Sequence, residues 1–183
     1  MDAAMHAGAW PKTRGGQLDG RTVAVVGLGR IGRRVAQLAT AFGARILAVD
    51  PIASASAPED YEFRTLSDAL RDATLVTLHC SGETEVLGAT ELAQLPRGAF
   101  VLNGARGGVV NERALQAALD SGHVAGAWLD CFAQEPYTGS LRGYPQVLLT
   151  PHVGSYSKEC RLKMETEAAR NLVDAFASAP VRA

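Results

Sequence analysis

Thr22-Val23-Ala24-Val25-Val26-Gly27-Leu28-Gly29-Arg30-Ile31-Gly32 is the stretch on which the reading of this chain turns. An apolar, β-branched run leads into G-x-G-x-x-G, and behind it Ile31, Val35, Leu38, Ala39 and Phe42 recur at helical steps. A second apolar run, Ile46-Leu47-Ala48-Val49, ends in Asp50, eighteen residues past Gly32. Among 19 glycines the motif alone would carry little weight. Strand, glycine turn, helix, strand and acid in that order read as a dinucleotide-binding βαβ unit. Gly27 permits the tight turn off the strand. Gly29 admits a pyrophosphate that a Cβ would push away, and Gly32 lets the helix pack closely on the sheet. The unpaired N–H groups of the helix start then face the diphosphate. Asp50 can accept hydrogen bonds from both adenosine ribose hydroxyls and repels a 2′-phosphate, which favours NAD over NADP. Arg30, inside the motif, reads as a diphosphate contact or an exposed helix residue.

Outward from this unit, strands and helices keep alternating. A Pro/Ala/Ser-rich loop at 51–61 precedes a short strand at 62–64 and a helix at 67–72 with Ser67 as its cap. Strands at 74–79, 99–103, 125–131 and 147–149 alternate with helices at 90–94 and 111–121. Asn111 caps the latter and Gly122 stops it. A last helix at 157–178 presents Leu162, Ala169, Leu172, Val173 and Phe176 on one face, which the pattern predicts to be buried. Strands apolar throughout and alternating with helices predict a single α/β domain. Its form is a Rossmann-type, doubly wound parallel sheet with helices on both faces. The expected limits are a lead-in at 1–20, the nucleotide-binding domain at 21–178 and a tail at 179–183.

The bulk numbers narrow the classes. With 47% hydrophobic and 20% charged residues over 183 positions, the chain reads as globular. A formal charge of −1 with no long basic run argues against nucleic acid as a partner. No apolar stretch reaches the length of a membrane span, and the opening Met1-Asp2-Ala3-Ala4-Met5-His6 has no signal-peptide pattern. Cys80, Cys131 and Cys160 make neither a disulfide framework nor a C-x-x-C metal pair, so no metal is expected and a reducing cytoplasm is the default.

Three polar residues follow predicted strand ends: Arg106, Glu135 and His152. Open α/β sheets bind ligands beyond the carboxyl ends of their strands, so all three point toward the nicotinamide end of a cofactor. Arg106, before Gly107-Gly108, has room to grip a carboxylate bidentately. His152 can give or take a proton at an oxygen, and a carboxylate such as Glu135 paired with it would fix its tautomer. Each alone is an ordinary surface or loop residue. The joint arrangement carries the reading.

The chain resembles the D-isomer-specific 2-hydroxyacid dehydrogenases. The likeness lies in the glycine turn with Asp50 and in the run from Leu102 to Glu112 around Arg106. It extends to the run from Ala127 to Pro136 around Glu135 and to Thr150-Pro151-His152-Val153-Gly154-Ser155. The resemblance implies that Arg106 binds the substrate carboxylate, that His152 is the acid–base residue, and that Glu135 holds it protonated. Asp130 would meet the nicotinamide carboxamide. Arg30, Ile31, His79, Ala105 and Gly154 would complete an NAD site with Gly27, Gly29, Gly32 and Asp50. It further implies a small 2-hydroxy acid substrate of the phosphoglycerate type and a homodimer formed through the cofactor domain. Family members open with a substrate-binding domain that has no counterpart in this sequence, so weak or no turnover is expected of the chain alone. Two departures stand out: His79-Cys80-Ser81-Gly82-Glu83 lacks the family's proline, and Asn111-Glu112 replaces the common Asp-Glu. A corepressor-like, NAD-responsive binding protein is the alternative reading.

Overall fold

The structure, a computed structural model, describes residues 2–12, 14–51 and 61–177. The tail expected at 179–183, the helix end at Ser178 and most of the loop at 51–61 lie outside them. After a short helix α1 (Asp2–His6), the chain runs β1 (Thr22–Val26), α2 (Arg30–Ala41), β2 (Arg45–Val49), β3 (Glu62–Phe63), α3 (Leu66–Asp72) and β4 (Leu75–Leu78). It continues through α4 (Ala89–Gln94), β5 (Ala99–Asn103), α5 (Glu112–Asp120), β6 (Val124–Leu129), β7 (Val147–Leu149) and α6 (Lys158–Ala177). The seven strands form one sheet in the order β3-β2-β1-β4-β5-β6-β7, and every pairing is parallel. The chain winds outward from β1 in both directions, so the switch point lies between β1 and β4. A cleft opens there beyond the strand ends.

Alternation along β1 divides the core. Val23 and Val25 join Ala36, Ala39, Ile46 and Ala48 under α2, whereas Ala24 and Val26 join the larger cluster with Leu70, Val76, Leu92, Val101 and Leu115. Helices therefore lie on both faces. Among the described residues the α2 side is covered over the β1–β2 half, while Phe100 on β5 and Leu148 on β7 stay 36% and 63% exposed.

Two expectations need correction, and α2 turns inward a face that its hydrophobic stripe alone does not name. The inward face of α2 is Gly32, Ala36 and Ala39, while the larger Ile31, Leu38 and Phe42 are exposed. Close approach of helix to sheet selects small residues, so the bulky positions of the stripe are turned outward. Thr65, not Ser67, caps α3, its hydroxyl accepting from the Asp68 amide at 3.2 Å. Ser67 instead donates to Gln94 on α4. Finally, no residue of α6 is buried. Leu162, Leu172, Val173 and Phe176 all stand exposed because no described element packs on that face. Asn111 does cap α5, accepting from the Ala114 amide, and it also donates to Glu85, which an aspartate could not do.

Candidate active site

The glycine turn sits where β1 meets α2. Gly27 has φ +91°, and a Cβ there would stand 2.5 Å from the Cys80 amide nitrogen. The end of β4 thus presses directly on the turn. A Cβ on Gly32 would lie 1.8 Å from the Gly27 carbonyl oxygen. At Gly29, the cap of α2, a Cβ would meet nothing within 4 Å. Two glycines are demanded by the protein's own packing, while the third leaves open space over the helix N-terminus, where a diphosphate fits. Asp50 follows β2, and its Oδ2 accepts from the Leu28 amide at 2.7 Å. That bond holds the carboxylate beside the turn. Arg30 and Ile31 are exposed on the first turn of α2.

The other edge residues follow β4, β5, β6 and β7. His79, half-buried, shares a 2.9 Å hydrogen bond with Thr77 through Nε2. Its Nδ1 is buried with no partner among the described residues, and burial pushes the imidazole below its ordinary pKa. Asn103, 2% exposed, accepts from the Ala105 amide and donates to the Arg106 carbonyl. These two bonds fold the chain sharply after β5. Arg106 stands exposed beyond the turn and donates to the Ala105 carbonyl. A Cβ on Gly107 would meet the Phe132 carbonyl at 1.8 Å, so the arginine turn packs flat on the glutamate loop.

Glu135 and His152 are brought together. Oε2 of Glu135 lies 3.0 Å from Nδ1 of His152, and Oε1 accepts from the Phe132 amide. The pairing with His152, then the amide, holds the Glu135 carboxyl below its ordinary value. The pair remains open, with His152 49% and Glu135 38% exposed at the side chain. Beside it lies a cleft of about 630 Å³ lined mainly by Phe132, Pro136, Tyr137 and Leu149, with Arg142 at its wall. Arg106 shares the edge but not the bond.

His152 takes φ +52°, a left-handed conformation that a non-glycine residue keeps only when its surroundings enforce it. Asp130 supplies the enforcement. Its Oδ1 accepts from the Thr150 hydroxyl at 2.6 Å and the Val153 amide at 3.0 Å. Its Oδ2 accepts from the Gly154 amide. Trp128 donates to the same Thr150 hydroxyl, joining β6 to the histidine loop. Burial pushes the Asp130 carboxyl up, but the hydroxyl and the two amides outweigh it and the net shift is downward. Three of its four acceptor positions are thereby engaged, and one is left for a ligand donor. Sequence reasoning missed Thr150, Trp128 and Asn103. Only the polarity of Asn103 at the end of an apolar strand hinted at its part.

Glycine turn, acid after β2 and a paired glutamate and histidine on one sheet edge define a nucleotide-binding α/β domain of the dehydrogenase class. Residues 1–154 match the family described as D-isomer specific 2-hydroxyacid dehydrogenase, NAD binding domain, and the chain belongs to that family. It is 39% identical over 179 residues to the D-3-phosphoglycerate dehydrogenase of Mycobacterium tuberculosis, covering 93% of this chain and 34% of that protein. The fold superposes on a glyoxylate reductase from Paecilomyes thermophila with a TM-score of 0.87 and 30% identity, over 97% of this chain and 56% of that one. A D-lactate dehydrogenase with NAD+ from Lactobacillus jensenii gives 0.83 and 26%, over 94% and 58%. The chain thus spans about a third to somewhat over half the length of these relatives. NAD is the cofactor of the family's domain, as the glycine turn implied, and the dehydrogenase reading is favoured over the corepressor-like one. Among the described residues no helix is long and apolar enough to cross a membrane.

Proposed function

We propose that this chain is the cofactor half of an NAD-dependent D-2-hydroxyacid dehydrogenase acting on a phosphoglycerate-like 2-hydroxy or 2-oxo acid. The observation that carries the proposal is the Glu135–His152 pair, 3.0 Å apart, on the sheet edge that also bears Arg106 and the glycine turn. When bound, the nicotinamide supplies or accepts the hydride at substrate C2. Arg106 grips the substrate carboxylate and polarises the 2-oxo group. His152 delivers a proton to the carbonyl oxygen in reduction and takes it back in oxidation, with Glu135 stabilising the imidazolium. Asp130 keeps the histidine loop in place and offers its remaining acceptor position to the carboxamide.

Gly27, Gly29 and Gly32 shape the diphosphate cradle, with Arg30 and Ile31 at its rim. Asp50 receives the adenosine ribose, and His79, Ala105 and Gly154 line the nicotinamide side. The reading includes a domain at 21–178 flanked by a lead-in at 1–20 and a tail at 179–183. It also includes a homodimer through this domain and a place in the cytoplasm. Titration of NADH and NADPH into the chain, followed by nucleotide fluorescence, tests the cofactor half. NADH is expected to bind at least about tenfold tighter, the equivalent of 1.4 kcal/mol of repulsion at Asp50. Equal or reversed affinities would refute the assignment.

A further inference from the structure

Cys131 lies two residues beyond β6, 4% exposed, with its thiol directed to the Ala105 carbonyl at 3.7 Å. The proton-transfer scheme above gives it no part. Its Sγ, one carboxylate oxygen of Glu135 and one ring nitrogen of His152 nevertheless all lie within 4.8 Å of one another. We propose that these three side chains form a binding site for a thiophilic divalent cation of the zinc class, and that the filled site takes the acid–base pair out of action. The inhibitory half of this statement rests on the dehydrogenase reading.

The donor set is the first argument. One sulfur, one nitrogen and one oxygen with a fourth position left to water or a substrate oxygen is a zinc-type set, and the sulfur disfavours magnesium and calcium. The geometry is the second. Bonds of about 2.0–2.3 Å in a tetrahedron bring ligand atoms to roughly 3.3–3.7 Å of one another, so the cluster must contract by about 1 Å. Glu135 and His152, 3.0 Å apart across their hydrogen bond, need only open by a few tenths of an ångström as the metal takes the place of the shared proton. Both have half-open side chains free to adjust, while Cys131 is fixed in the core. Charge is the third. Around this thiol the carboxylates of Asp130 and Glu135 outnumber the one cation that acts on it, Arg106, and leave the pocket negative; burial and the same two carboxylates hold the free thiol protonated, so the metal must displace its proton.

Binding breaks the Cys131 S–H bond as the sulfur–metal bond forms, and the proton leaves to solvent. No electron is transferred. With either ring nitrogen on the metal, His152 no longer cycles between imidazole and imidazolium. Glu135 can no longer stabilise the charged form.

Cobalt(II) titrated into the 183-residue chain tests the site. The expected result is one equivalent bound, with a thiolate-to-cobalt charge-transfer band that excess zinc abolishes. The band should vanish in C131S and persist in C160S, Cys160 lying far along the chain on α6. His152→Asn alters an open side chain and decides the question should C131S fail to fold. It should weaken cobalt at least about tenfold, since even outer-shell changes commonly cost that much. No band, a band that survives C131S or disappears in C160S, or unchanged affinity in H152N would overturn the site. NADH binding without a cobalt band defeats the metal site and leaves the dehydrogenase reading intact. A band that meets these criteria in a chain that ignores NADH does the reverse.

Discussion

Two glycines of the turn, Gly29 and Gly32, separate what a ligand requires from what the fold requires. In Gly32→Ala the new Cβ falls 1.8 Å from the Gly27 carbonyl oxygen and 3.4 Å from the His79 Cβ. Backbone must move at the turn. Overpacking of this kind costs about 1–3 kcal/mol, which lowers Tm by roughly 2–12 °C in a chain of this size. Gly29→Ala places its Cβ in open space on a residue with φ −67° and ψ −167°, which alanine adopts freely. Only the weaker capping preference of alanine is lost, about 1 kcal/mol or less. The same Cβ occupies the approach to the amides at the start of α2. Each charge-assisted bond lost to a diphosphate there is worth about 1.5–3 kcal/mol, or roughly a 10- to 150-fold loss of NADH affinity. Thermal unfolding by circular dichroism and NADH titration on both variants check the pair of claims. A G29A protein that binds NADH as tightly as wild type would refute the placement of the diphosphate. A G32A protein as stable as wild type would refute the packing argument.

Asp130→Asn keeps the side chain's shape but places an amide group where at least one of three donors now points. One charge-assisted bond is lost and two fall to neutral strength, about 3 kcal/mol in all, which a thermal scan at neutral pH should read as a drop of roughly 6–12 °C. Because folding lowers the Asp130 pKa, this stabilisation is complete above the unfolded value near 3.9 and fades as pH falls through the lower folded value, so the two melting curves should converge below about pH 4. Glu135→Gln should shift Tm by under about 4 °C, the pair being too exposed to matter more. Since the Glu135 carboxyl is held below its ordinary value, even that small effect should be present at neutral pH and vanish in the same acid range; a large loss of stability at pH 7 would contradict a mainly catalytic role.

The first βαβ unit was legible because each of its signals is local: apolar strands, a glycine turn and an acid at a strand end lie within 29 consecutive residues, 22–50. The inward face of α2 was not legible, because hydrophobicity ranks Ile31, Leu38 and Phe42 above the glycine and alanines that close packing demands. For α6 the pattern announces a face that wants cover without saying what supplies it. The site divides along the same line. Arg106, Glu135 and His152 could be named because strand ends in a parallel sheet share an edge, and sequence alone locates strand ends. The Trp128–Thr150–Asp130 network could not be, since it joins residues 20 and 22 positions apart through side chains alone. Yet that network explains why His152 can stand at φ +52°. A single aspartate fixes the Thr150, Val153 and Gly154 donors on both sides of the histidine. The left-handed turn these bonds hold accompanies the approach of the imidazole to Glu135. Without Asp130 the histidine loop loses the bonds that oppose its strain, and the pair that carries the proposed chemistry loses its footing. Asp130 therefore belongs to the proton-transfer site through the backbone it holds, whatever it also offers to a nicotinamide.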